Sequence, residues 1–223
     1  EAQAVQNVIQ GHSLRMDARR KKAEDAAAEK VQLTMEAGKL DDRIRLLTEM
    51  EKEYEGFSKA VKTVMQAAEK NTLRGIHGPV AGLMTTKKEY AVALEIALGA
   101  SLQNIVVDRE EDAKTAIRFL QQRDGGRATF LPLTAIRGDV LRENVAGEYG
   151  FVGVASELVR YDKQYDSIFK NLLGRTVVME DMDSAIALAR KFRNGFRIVT
   201  LDGQVINRGG SMTGGSVNRS AGV

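Results

Sequence analysis

Apolar residues in the first third of the chain recur at alternating steps of four and three: Leu33, Ala37, Leu40, Ile44 and Leu47. That spacing puts one narrow stripe along a helix and is the seam of a coiled coil. Two consecutive threes, Ile44 to Leu47 to Met50, interrupt it before it resumes with Tyr54, Phe57, Val61 and Val64. A skipped step of this kind overwinds a coiled coil locally. Upstream of Leu33 the seam thins into alanine and charge. Residues 1–70 contain no proline, and their only glycines are Gly11, Gly38 and Gly56. Strong helix formers fill the rest. The pattern predicts a coiled-coil arm over residues 1–70. Such a stripe needs a second helix, and no other long helical pattern exists in the 223 residues, so the partner helix must come from outside them.

Past Asn71 the pattern changes to α/β. A helix is predicted from Lys88 to Leu98, closed by Gly99, and a buried strand from Gln103 to Val107. Asp108 and Glu111 suit a capping box ahead of Ala116, Ile117 and Leu120. Gly125 and Gly126 stop that helix, and Ala128 to Leu131 is the next strand, ended by Pro132. The same order then returns. Asp166 to Leu173 is a helix closed by Gly174, and Thr176 to Met179 a strand. Asp181 or Asp183 caps a further helix through Ala185, Ile186 and Ala189. Gly195 stops it before the strand Arg197 to Leu201. Leu98-Gly99 corresponds to Leu173-Gly174, Val106-Val107 to Val177-Val178, and Ala116-Ile117 to Ala185-Ile186. The expected fold is mixed α+β: two similar α/β lobes, near 75–145 and 146–216, preceded by the arm and followed by a tail at 217–223.

Composition removes several functions. The chain has no cysteine, and its only histidines are His12 and His77, so disulfides and cysteine-based metal sites are excluded. His77 sits in the turn-like stretch Gly75-Ile76-His77-Gly78-Pro79 with no cluster of ligands around it, and is expected to be a loop histidine. No apolar run approaches the roughly 20 residues of a membrane span. A cytoplasmic protein without metal or cofactor is expected. The net charge is +3, and the excess falls after residue 70. Arg190, Lys191, Arg193, Arg197, Arg208 and Arg219 face a single acid, Asp202, in the final stretch. That density permits an anionic partner.

Gly209-Gly210-Ser211-Met212-Thr213-Gly214-Gly215-Ser216 is the most distinctive segment. A glycine cluster costs backbone entropy, and the usual reasons for it are a phosphate cradle or the close approach of another backbone. Gly209 and Gly214 have the spacing of a phosphate loop, but Gly215 stands where that loop needs its lysine. Close packing of another chain is the better reading. A nucleotide- or phosphate-binding α/β enzyme using this loop is the alternative.

Four stretches resemble the hinge region of bacterial structural maintenance of chromosomes (SMC) proteins. They are Gly75-Ile76-His77-Gly78-Pro79-Val80; Tyr90 to Glu95 with Ala97-Leu98-Gly99 and Ile105-Val106-Val107; Gly126 to Leu133; and Val199 to Gly203 leading into Gly209 to Gly215. The resemblance implies a non-catalytic module that forms a ring-like homodimer, with Gly209, Gly210, Met212, Gly214 and Gly215 at the contact. It implies that the coil returns antiparallel from a later part of a longer protein. The heads of that protein would carry ATP and Mg, and condensin-type accessory subunits and the nucleoid would be its partners. It also implies weak, sequence-independent DNA binding on basic surface. No motif transfers for those contacts, and Lys87, Lys88, Arg190, Lys191 and Arg193 are the candidates.

Overall fold

The computed structural model describes residues 1–52 and 54–216, so the expected tail at 217–223 lies outside the described residues. The chain divides into two compact units, residues 1–55 and the remainder from Gly56.

The first unit is the helix α1 (Ala2–Lys52), whose described side chains are all exposed. Its seam reaches further back than Leu33. Val5, Ile9 and Met16 keep the three-four spacing, with His12, Arg19, Ala23, Ala26 and Lys30 on the same track. Leu33, Leu40, Ile44 and Leu47 are each more than half exposed. The arm is shorter than the expected 1–70. Beyond α1 the backbone enters the left-handed region at Tyr54 (φ 52°) and Gly56 (φ 89°), which a continuing helix cannot contain. Ser58 then caps a new helix, α2 (Lys59–Glu69), by accepting from the Val61 amide. Ala60, Val61, Val64, Met65 and Ala67 are buried in α2, which belongs to the second unit and packs on its first lobe.

The first lobe runs β1 (Ile76–Pro79), β2 (Met84–Thr86), α3 (Ala91–Leu98), β3 (Ile105–Val107), α4 (Glu110–Gln122) and β4 (Phe130–Pro132). The second runs β5 (Phe151–Val154), β6 (Val159–Tyr161), α5 (Asp166–Leu173), β7 (Thr176–Met179), α6 (Met182–Lys191) and β8 (Arg197–Thr200). It then adds β9 (Val205–Ile206) and β10 (Met212–Thr213). In one sheet β3 lies between antiparallel β1 and parallel β4; in the other β7 lies between antiparallel β5 and parallel β8. Each β1-type strand carries its register shift just before the matching glycine, Gly78 or Gly153. Gly75 (φ 69°) and Gly150 (φ 74°) match as well. A Cβ there would come within 2.6 Å of Asp112 or 2.5 Å of Ser184, the third residues of α4 and α6. Only glycine fits such a close approach.

The doubling holds, but its alignment shifts. Strand register matches Val106 with Val178, not Val177, because Gly78 faces Val106 and Gly153 faces Val178. Counted from the caps Arg109 and Asp181, Ala113 matches Ala185 and Ala116 matches Leu188, all buried, whereas Ile117 is 43% exposed. One helical turn preserves the apolar face, so sequence alone does not separate the two alignments.

The lobes join through a two-stranded antiparallel ribbon of β2 and β6, which no pattern in the sequence predicts. Met84 pairs with Tyr161, Thr85 with Arg160, and Thr86 with Val159. In the repeat that matches Gly78 with Gly153 and Tyr90 with Tyr165, Thr85 corresponds to Arg160. The ribbon is therefore symmetric about its central pair, a two-fold relation within one chain. A shared core beneath it joins Val80, Leu94, Leu98, Val106 and Leu131 to Ile168, Phe169, Leu173, Val178 and Val199. On the opposite face of the second sheet, Val177, Met179 and Ile198 pack under α6. The strands are buried on both faces, which explains their unbroken apolar runs.

Candidate association site

The glycine motif folds as a hairpin at the edge of the five-stranded sheet, in the order β10-β9-β8-β7-β5. Met212 pairs with Ile206 and Thr213 with Val205. At the tip the Asn207 amide donates to Ser211 O (2.8 Å), the Gly210 amide to Asn207 O (2.9 Å), and the Gly209 amide to Asn194 O (3.1 Å). The last bond ties the tip to the turn after α6. Asn207 and Ser211 form a hydrogen-bonded pair, so alternation turns the Met212 backbone N–H and C=O away from β9. They point off the open edge, and the Met212 side chain is 54% exposed.

The four glycines differ in role. A Cβ on Gly209 (φ 88°) or Gly215 (φ 137°) would meet nothing within 4 Å, whereas one on Gly210 (φ 97°) would press on Asn194 at 3.1 Å. A Cβ on Gly214 would overlap Gln204 Oε1. Two of the expected contact glycines thus also answer to neighbours in their own lobe. Met212 and Thr213, inside the motif, form an edge strand, whereas a phosphate loop keeps that stretch as an open glycine-rich loop whose amides cradle the anion.

The first lobe has no counterpart of β9 and β10 among the described residues. The Ile105 amide donates to Thr129 O and the Leu133 amide to Val107 O. Parallel pairing therefore turns Leu131 toward β3 and Phe130 outward, as Ile198 is turned toward β9 in the second lobe. The outer side of β4 is an open edge.

The basic candidates fall into two groups on different elements. Lys87 and Lys88 precede α3 at one end of the ribbon, with Lys87 3.7 Å from Glu89 and over the Tyr90 ring at 5.7 Å. Arg160 lies at the ribbon's centre and Lys163, the equivalent of Lys88, at its other end; both are exposed. These two were missed because they are scattered in sequence and only the ribbon gathers them. Arg190 and Lys191 end α6 and Arg193 lies in the turn after it; Lys191 is paired with Glu148 at 2.6 Å.

His77 is not a loop residue. It stands in β1 and bridges the lobes, with Nδ1 2.9 Å from the Tyr165 hydroxyl and Nε2 2.9 Å from Asp108 Oδ1. Burial pushes the Tyr165 phenol up, as it does Tyr161 in the ribbon. Arg197 also crosses between lobes, donating to Ala97 O (2.7 Å) and Ile96 O (3.3 Å) at the end of α3. Burial lowers its pKa. The cap Asp181 accepts from the Ser184 amide at 2.8 Å, which holds its carboxyl below the usual range. The Lys170 hydrogen bond does the same for Asp166, and the Thr134 hydroxyl for Glu110. Among the described residues no cluster of three or more His, Asp or Glu could hold a metal ion, and no helix is long and apolar enough to cross a membrane.

A doubled lobe, a helical arm whose described side chains are all exposed and two open strand edges describe an association module. The family model described as "SMC proteins Flexible Hinge Domain" matches residues 73–189, ending within α6 before the glycine hairpin. The chain belongs to the SMC hinge family, and as a hinge domain it is not an enzyme. It is 47% identical over 178 residues to the chromosome partition protein Smc of Bacillus subtilis, covering 78% of this chain and 15% of that protein. Among solved structures it is similar to an asymmetric dimer of the Geobacillus stearothermophilus SMC hinge domain. That match has a TM-score of 0.80 and 39% identity, over 91% of this chain and 84% of the other. It is also similar to the Pyrococcus furiosus Smc hinge domain with an extended coiled coil, with a TM-score of 0.61 and 28% identity, over 95% and 76% of the two chains. The chain thus spans about a sixth of the length of its curated relatives.

Proposed function

We propose that this chain is the homodimerisation hinge of a longer chromosome-partition protein. The single observation that carries the reading is the unequal ending of two otherwise equivalent sheets. β8 is covered by β9 and β10, while β4 is bare. In the dimer, β10 of one copy lies antiparallel against β4 of the other and takes the place that β9 holds beside β8. Phe130 then faces Met212 of the second copy, as Ile198 faces Ile206 within the lobe. Open strand edges seek such pairing. A two-fold axis makes the contact twice and closes a ring. Gly214 of the second copy would lie opposite Ala128, where small residues permit close approach. The arm and the two lobes are the functional divisions, and α1 pairs with an antiparallel helix from a later part of the longer protein. ATP, Mg and accessory subunits belong to that protein, which acts on chromosomes in the nucleoid. DNA binds weakly and without sequence preference to the basic surfaces at Lys87, Lys88, Arg160 and Lys163, or at Arg190, Lys191 and Arg193. That binding falls steeply with salt as counterions are released.

Light scattering across protein concentration tests the reading. The expected mass is twice 24.4 kDa, unchanged in high salt. A mass of one chain at all micromolar concentrations would overturn it.

A further inference from the structure

We infer that Gln204 is the positioning residue of the dimer edge, its side-chain amide acting as the missing rung that holds the chain beyond β10 in line up to Gly215, where it bends. The inference rests on the dimer reading above. In the β9–β10 ladder, Asn207 faces Ser211 and Val205 faces Thr213 as hydrogen-bonded pairs. The next such pair would be Gly203 with Gly215. Gly203 cannot serve, because it closes the β8–β9 turn with φ 88° and gives its amide to Thr200 O at 2.9 Å. Gln204 supplies both halves of the rung instead. Its Oε1 accepts from the Gly215 amide at 2.8 Å, and its Nε2 donates to Gly215 O at 3.2 Å.

The turn holds that amide in place. The Gln204 backbone amide donates to Thr200 Oγ1 at 2.9 Å and its carbonyl accepts from the Thr200 amide at 2.9 Å. The Thr200 hydroxyl donates in turn to the Asp202 carboxylate. Gly214 is glycine for the same reason, since a Cβ there would overlap Gln204 Oε1. Without the clamp, regular pairing ends at Thr213 and only Met212 is held in line for a second copy. With it, the backbone of Gly214 is held in line as well, and the edge offers two outward residues. The side-chain amide suits this role, because one side-chain end must both accept and donate.

The test uses two variants of the 223-residue chain. Gln204→Met keeps the length of the side chain and removes both bonds to Gly215, together with the longer ones from Nε2 to Asp202 O and Oδ2 at 3.5 Å. It should weaken the dimer about tenfold or more while the circular dichroism spectrum of the chain stays native-like. Gln204→Glu keeps the acceptor and loses the donor while ionised. Protonated, the same side chain both donates and accepts. Asp202 faces this side chain, its Oδ2 3.5 Å from Gln204 Nε2, and disfavours a second negative charge there. The Gln204→Glu dimer, measured against wild type at each pH, should therefore recover toward wild type as pH falls through the range in which that carboxyl protonates, at or above the free value of ~4.3. A residue serving only the fold would not couple the dimer constant to that titration. A dimeric wild type whose Gln204→Met variant associates as tightly, or a Gln204→Glu deficit that does not change with pH, overturns this inference alone. A wild type that stays monomeric overturns the dimer reading and this inference together.

Discussion

The two lobes share strand order, register shifts and a pressed glycine at the same point, yet one ends in a bare β4 and the other in a hairpin beyond β8. A repeat that served only to fill a core would not need this asymmetry. In the proposed dimer, equal interiors with unequal ends would make one lobe a socket and the other a plug, so that two copies would satisfy each other twice. The lesson is that function lies where the doubling fails.

Breaking the edge from either side should give the largest effect on association. Phe130→Pro and Met212→Pro each remove an outward amide without touching a bond inside their own lobe. Each should lower dimer affinity by about a hundredfold or more while the circular dichroism spectrum stays native-like. An effect from one lobe only would break the plug-and-socket comparison. Next comes the shared interior. Leu94→Ala and Phe169→Ala truncate fully buried side chains from opposite lobes and should each cost about 3–5 kcal/mol in denaturant unfolding. Both should unfold in a single transition, whereas separate transitions would mean that the lobes are independent. Gly38→Ala on the arm is smaller. Nothing lies near its Cβ position, so it should raise the helix stability of α1 by about 1 kcal/mol, seen as added helicity, with no change in the hinge.

The helix caps sharpen the comparison most finely. Asp181 has a lowered carboxyl pKa, so its contribution is present above the unfolded value and lost as pH falls through the folded one. Stability in wild type should therefore fall below about pH 4, and less steeply in Asp181→Asn, by thermal melts across pH. An equal slope would mean that the α6 cap carries no linkage.

The helices and the buried strands were legible because their apolar periods are long or unbroken, as at Asp166–Leu173 and Thr176–Met179. The β2–β6 ribbon was not, since three residues on each side carry no period and its partners are far apart in sequence. The arm's end was misplaced because Val61 and Val64 continue a helical pattern while facing a different neighbour. The glycine motif led to an expectation of close packing by another chain and gave no sign of the contacts its glycines make within the lobe. Gly214 answers first to Gln204, a contact that only the folded turn creates.

Site-directed cross-linking tests the central claim most directly, because the chain carries no cysteine of its own. Chains bearing Phe130→Cys and Met212→Cys are mixed and oxidised. Facing residues of an antiparallel pair lie about 4.5–5.5 Å apart at Cα, within disulfide reach. The account predicts a disulfide-linked dimer from the mixture and none from either variant alone. No cross-link from the mixture, in a protein that is dimeric by mass, would contradict it.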